Sequence, residues 1–188
     1  MNKKFEQNGY CVIREFLPKD FCKFIQSYFK VRQDALDYVI DEQCPKSKSF
    51  YADPLIETIL LTSVKKLSET IEVELLPTYS YTRIYSRKEY LFKHTDRPEC
   101  QFSATLSLGY PEKQGISPIF MKKEGKNASK LELDIGDICI YRGDIVEHWR
   151  EPFTQDWYLQ AFLHYVDKNG PYANRIYDGR FALATEKI

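Results

Sequence analysis

The chain has 188 residues, 43% apolar and 15% aromatic, which excludes a disordered protein and suits one domain with a sizeable core and much β structure. Its 27 Lys and Arg balance its 27 Asp and Glu, so no net positive field exists to attract nucleic acid or anionic membrane. A polar N-terminal stretch, no apolar run near ~20 residues, and five cysteines (11, 22, 44, 100 and 139) without a CxxC together predict a cytoplasmic protein with reduced thiols, no membrane span and no thiolate zinc site.

Taken in order, Phe5 to Phe16 holds a short apolar run, Tyr10 to Ile13, which reads as an early strand entered by the Asn8-Gly9 turn. Pro18 precedes a helix with Phe21, Phe24, Ile25 and Phe29 on one face, continuing towards Val39. Asp41 to Ala52 is polar and reads as a loop. Asp53-Pro54 is an N-cap and N1 pair that starts a second helix through Ile56, Ile59, Leu60, Val64 and Leu67. Pro77 is expected to close its connection to the next strand.

From Tyr79 the texture turns to β. Gln101 to Gly109 alternates Phe102, Ala104, Leu106 and Leu108 against Ser103, Thr105 and Ser107, the pattern of a half-buried strand. Further strands are expected at Ile119–Met121, around Leu131 to Tyr141, at Ile145–Trp149 and at Trp157–Val166, with turns at Gly125–Lys130 and Gly143. The order predicts an α+β domain, with helical support over about 1–77, a β-core of roughly eight strands over about 78–166, and a tail over 167–188.

Three histidines occur, at 94, 148 and 164. His94 and Asp96 are two residues apart, so an extended backbone aims both to one side. A histidine and a carboxylate so placed are two thirds of a 2-His-1-carboxylate facial triad, which leaves positions open on a non-haem iron. His148, near a strand start after a Gly-Asp turn, is the preferred third ligand. His164, inside the last long strand, reads as a core or pocket histidine bonded to a neighbour. Zinc hydrolases also use two histidines and a carboxylate, often as HExxH on a helix, and no such motif is present.

The HTD motif, the LDIGDICIYRGDIVEHWREP segment and the NGYCVIREFLPKDFCKFI opening resemble the Fe(II)- and 2-oxoglutarate-dependent oxygenases. That resemblance implies a double-stranded β-helix, a jelly-roll or cupin-like barrel with the N-terminal helices packed on one sheet. It implies Fe(II) on His94, Asp96 and His148 as the catalytic centre, and 2-oxoglutarate as cosubstrate. Tyr85 stands nine residues before His94, as does the cosubstrate-contacting tyrosine of prolyl 4-hydroxylase-like members, with Lys88 and Leu91 where that motif has Gly and Tyr. AlkB-type nucleic-acid demethylases have Asn-x-Tyr there; this chain has Arg83 and Tyr85. A small bacterial and phage subgroup is also similar around YTRIY, HTDRPEC and LHYVD.

One departure concerns the cation that members place some nine to twelve residues after the distal histidine to bind the C5 carboxylate. Trp157 to Gln160 occupy that window. Arg150, on the strand face of His148, is the first substitute, Arg83 the second, and Gln160 a neutral helper. For substrate, Arg97 and Glu99 just past the HxD are candidates, either as a grip on a zwitterion or as a surface pair. The expected activity is hydroxylation of an amino acid, peptide or protein side chain with release of succinate and CO2, the partner being a small-molecule or a peptide or protein substrate. The alternatives are a nucleic-acid demethylase, which the neutral charge disfavours, and a non-catalytic cupin-like metal-binding module.

Overall fold

A computed structural model describes residues 2–185. Position 1 and the last three positions of the expected tail, 186–188, lie outside the described residues. A short helix α1 (Lys3–Asn8) comes first, capped by the Asn2 side chain and ended by left-handed Gly9; β1 (Tyr10–Ile13) follows as expected. Helix α2 (Lys19–Asp34) starts after Pro18 and stops well short of Val39. Its buried stripe is Cys22, Ile25 and Phe29, while Phe21 and Phe24 stack on each other at the surface, so the apolar face is turned by about one residue from the expected one. Part of the polar stretch expected as a loop is a strand, β2 (Lys48–Tyr51), because it can pair with the edge of its long neighbour.

Helix α3 (Pro54–Ile71) begins where the N-cap signal puts it: the Asp53 carboxylate accepts from the backbone N–H of Leu55 and Ile56. Tyr28 and Arg32 of α2 also donate to Asp53, tying the two helices together. The remaining strands are β3 (Leu75–Ser86), β4 (Leu91–His94), β5 (Phe102–Gly109), β6 (Ile119–Lys122), β7 (Ser129–Leu131), β8 (Ile138–Arg142), β9 (Glu147–Arg150) and β10 (Trp157–Asp167). Pro77 lies inside β3 rather than before it, beside a bulge where His164 drops out of register between Leu163↔Ser80 and Tyr165↔Pro77. A bulge is one of the few interior places that tolerates a residue with no N–H.

Two antiparallel sheets result, ordered β1-β8-β5-β10-β3-β2 and β4-β9-β6-β7. The outer face of the six-stranded sheet carries α2 and α3: Gln26 donates to the Leu108 carbonyl and Tyr165 to that of Leu60. Its inner face looks towards the four-stranded sheet across a pocket lined by both. This arrangement corrects the expectation for β5. All eight of its residues are buried, the apolar set under the helices and Ser103, Thr105 and Ser107 facing the space between the sheets. The helical support therefore does pack on one sheet. Among the described residues, no helix is long and apolar enough to cross a membrane.

Candidate metal and cosubstrate site

His94 ends β4 and is paired in register with His148 of β9; their rings lie 4.3 Å apart. Asp96, two residues on, has its Oδ1 3.7 Å from His94 Nε2 and 3.6 Å from His148 Nε2. His94 Nδ1 is 2.7 Å from the Phe92 carbonyl and His148 Nδ1 is 3.0 Å from that of Val146. Each Nδ1 is thereby anchored at a carbonyl, and both Nε2 atoms turn towards Asp96, the side a metal-binding imidazole presents. Among the described residues this trio is the one cluster of His, Cys, Asp and Glu fit to hold a metal ion.

The charge state suits that role. Burial and the neighbouring His148 lower the pKa of His94, favouring the neutral ring. Burial alone would raise Asp96, but the hydrogen bond and charge of His148, the charge of His164 and the Ser103 hydroxyl outweigh it and hold the carboxyl at about 2. Asp96 is fixed by its N–H to the Gly143 carbonyl (2.8 Å) and by Ser103 Oγ on Oδ2 (2.5 Å). A Cβ on Gly143 would stand 2.6 Å from Asp96 Oδ2, so the turn expected at Gly143 also makes room for the carboxylate. His164 sits behind, bonded to Ser103 (3.0 Å) and stacked on Tyr79, as a pocket histidine rather than a member of the trio.

Deeper between the sheets lies a second constellation. Arg150, two residues beyond His148 on the same face of β9, is 1% exposed. Its Nη1 donates to the Ser117 carbonyl at 2.7 Å, whereas Nε and Nη2 have no partner, and among the described residues no carboxylate forms an ion pair with it. Around it are the rings of Tyr158 and Phe153, 5.0 and 5.7 Å from the guanidinium carbon. The Tyr85 hydroxyl, both polar atoms of the Gln160 amide and the Thr105 hydroxyl are likewise buried and without partners. Register explains the grouping: β10 sets Tyr158 opposite Tyr85, and Gln160 opposite Arg83 and Ser107.

Arg83 shares the Tyr85 face, but its nitrogens are engaged. Nη2 donates to Asp41 (2.6 Å), Nη1 to Gln43 (3.1 Å) and Nε to Ser49 (3.3 Å). Lys88, at the position where the prolyl-hydroxylase motif has glycine, has φ +68°, so the left-handed turn persists without a glycine. Arg97 and Glu99 do not pair with each other: Arg97 binds Asp178 at 2.5 Å, and Glu99 lies 3.8 Å from Arg175. The pocket above the trio encloses about 390 Å³ and is walled by Tyr79, Tyr81, Phe162, His164 and Arg97.

The residues that the sequence pattern left unmarked are Thr105, Ser117, Asp41, Asp178 and the Gly143 contact. Asp41 and Asp178 could not have been found from spacing, since each meets its arginine across the fold. Ser103 and Thr105 carried a signal, the alternation of β5, but it points to solvent unless the second sheet is known.

No family model matches this chain, and no curated protein matches its sequence. Solved structures do match its fold. A prolyl-4-hydroxylase of Pseudomonas putida superposes with TM-score 0.70 at 15% identity, covering 87% of this chain and 95% of its own. HygX from Streptomyces hygroscopicus, solved with nickel and 2-oxoglutarate bound, gives 0.68 at 13% identity over 90% and 88%. The viral collagen prolyl hydroxylase of Paramecium bursaria Chlorella virus-1, solved with 2-oxoglutarate, gives 0.62 at 14% over 85% and 97%. The α+β architecture is thus the one used by 2-oxoglutarate oxygenases.

Proposed function

We propose that this chain is an Fe(II)- and 2-oxoglutarate-dependent dioxygenase, a single double-stranded β-helix domain that hydroxylates an amino acid, peptide or protein side chain. The observation that carries the reading is the pairing of two half-sites: a His-Asp-His trio, and beside it a buried arginine with unpartnered donors. Leaving buried donors unmade costs about 1–3 kcal/mol each, more for a charged group. A dicarboxylate whose far end reached Arg150 would relieve that cost, which supports 2-oxoglutarate as the partner of these groups.

His94, Asp96 and His148 would hold the metal, with the two imidazoles oriented by their backbone acceptors. Arg150 would take the C5 carboxylate with Nε and Nη2 as a fork, Tyr85 donating its hydroxyl and Gln160 its amide to the same end. The anchor then lies on the strand of the distal histidine rather than on the next one. There Gln160 fills in without charge, and Trp157 and Leu159 lie on the other face of β10. Bound there, Fe(II) with 2-oxoglutarate supplies C–H hydroxylation coupled to release of succinate and CO2. The protein's part is to hold the cosubstrate's far end, to keep Asp96 anionic, and to seal the chamber from water with Tyr158 and Phe153.

Anaerobic addition of Fe(II) and 2-oxoglutarate tests the reading: a weak visible charge-transfer band is expected. Absence of that band in folded protein that binds zinc tightly would overturn it.

A further inference from the structure

Arg97 is the charged group on the pocket wall whose hydrogen-bonding capacity is least used. It follows Asp96 directly, its side chain is 40% exposed, and its guanidinium lies 4.9 Å from the centre of the Tyr79 ring. One bond to Asp178 and the nearby Cys100 thiol occupy only part of its five donors. The other charges on that wall are closed. Asp41 Oδ2 accepts from Arg83, Tyr81 and Ser49, and Arg83 has a partner on every nitrogen.

Asp178 is delivered with unusual care. Tyr177, Asp178 and Gly179 are three consecutive left-handed residues, with φ of 57°, 57° and 74°. Two of them carry side chains, for which that conformation is costly and tends to mark functional positions. The turn aims Asp178 inward, where Oδ1 meets Arg97 and Oδ2 accepts from Tyr51 at 2.8 Å. Arg180 then locks the segment to α3 through Glu57, an ion pair at 2.7 Å whose side chains are 0% and 1% exposed. A C-terminal segment held by a buried ion pair, and strained to place one carboxylate, orients the Arg97 fork across the mouth.

Resting on the oxygenase reading, we propose that the mouth recognises a small substrate bearing a free carboxylate, with Arg97 as its ligand and Asp178 as the residue that positions Arg97. A guanidinium can bridge two carboxylates through separate N–H pairs, and Tyr79, Phe162 and Tyr81 supply an apolar wall for the rest of the molecule.

The test uses the anaerobic Fe(II)/2-oxoglutarate complex of the full chain. The probes are the free L-amino acids and simple aliphatic and aromatic monocarboxylates, each beside its primary amide. Perturbation of the visible band reports occupation of the mouth. At least one acid is expected to bind at least about tenfold tighter than its amide, the loss of one charge-assisted contact. Arg97→Gln should erase that preference. Asp178→Asn, which keeps the shape and an acceptor for Tyr51, should weaken the acid about tenfold while leaving 2-oxoglutarate affinity in place. Equal binding of acids and amides, preference insensitive to Arg97→Gln, or no acid binding while the band is intact would each overturn the proposal. Should Arg97→Gln not fold, the acid–amide comparison on the unaltered protein still decides it. Loss of the band itself would instead strike the oxygenase reading.

Discussion

Arg83 and Arg150 are both buried, both face the space between the sheets and both lie near Tyr85, yet their surroundings are opposite. Arg83 is closed by Asp41, Gln43 and Ser49 and holds the 41–49 segment against β3. Arg150 has one carbonyl partner, aromatic rings, and donors without acceptors. A satisfied buried arginine is scaffold. An unsatisfied one carries a desolvation cost that an incoming counter-ion would relieve, which is the role proposed for Arg150.

The sharpest break of that contrast is a pair of substitutions. Arg150→Met should raise the Kd for 2-oxoglutarate by about 100-fold or more, with folding stability unchanged or higher, because an uncompensated buried charge is removed. Arg83→Met should do the reverse. It strips the partner from Asp41 and should cost about 2–3 kcal/mol in denaturant unfolding, discounted because Asp41 is partly exposed, with 2-oxoglutarate affinity little changed. Similar Kd effects in both variants would end the distinction. A second test uses linkage: 2-oxoglutarate at about 100 times its Kd, with a redox-inert divalent metal, should add about 2.7 kcal/mol to the stability of the unaltered protein and nothing to Arg150→Met.

On the metal side, Asp96 gives a pH signature. Its carboxyl lies near 2 when folded, below its ordinary value, so its contribution is present above about pH 4 and lost as pH falls through about 2. Comparing metal-free protein with Asp96→Asn, unfolding should show a gap of roughly 2 kcal/mol at pH 6 that closes towards pH 2. A constant gap would mean the carboxylate is not held down by its neighbours. Gly143→Ala, crowding Asp96, should weaken metal binding about tenfold as measured by competition with a chelator. The smallest effect belongs to Lys88→Gly, which relieves the left-handed turn and should stabilise by about 0.5–1 kcal/mol without touching either site.

The grouping of His94, Asp96 and His148 was legible because its logic is local: an HxD on a strand and a histidine after a Gly-Asp turn. Helix α3 was legible for the same reason, through Asp53-Pro54. What escaped depends on long-range partners. β2 forms in polar sequence because β3 offers an edge, and Pro77 enters a strand because a bulge spares it a ladder bond. β5 read as half-solvated since alternation cannot tell water from a polar chamber. Arg150 was on the right face by counting from His148, but its lack of a counter-charge is a property of everything packed around it. Arg83 ranked just behind it until Asp41 appeared beside it from more than forty residues away.

The strand order carries one more consequence, for how the chain reaches this state. β1, residues 10–13, completes the six-stranded sheet by pairing with β8, residues 138–142. During synthesis β1 therefore waits for more than a hundred further residues before its partner exists. Such non-local closure slows folding, and until it happens β8 presents an open edge to other chains. His94 and His148 are closer in the chain, and they meet when β4 pairs with β9 within the four-stranded sheet. A nascent chain of this design is vulnerable to misassociation late in synthesis, and conditions that speed β1 docking should improve its yield more than any gain in helix stability.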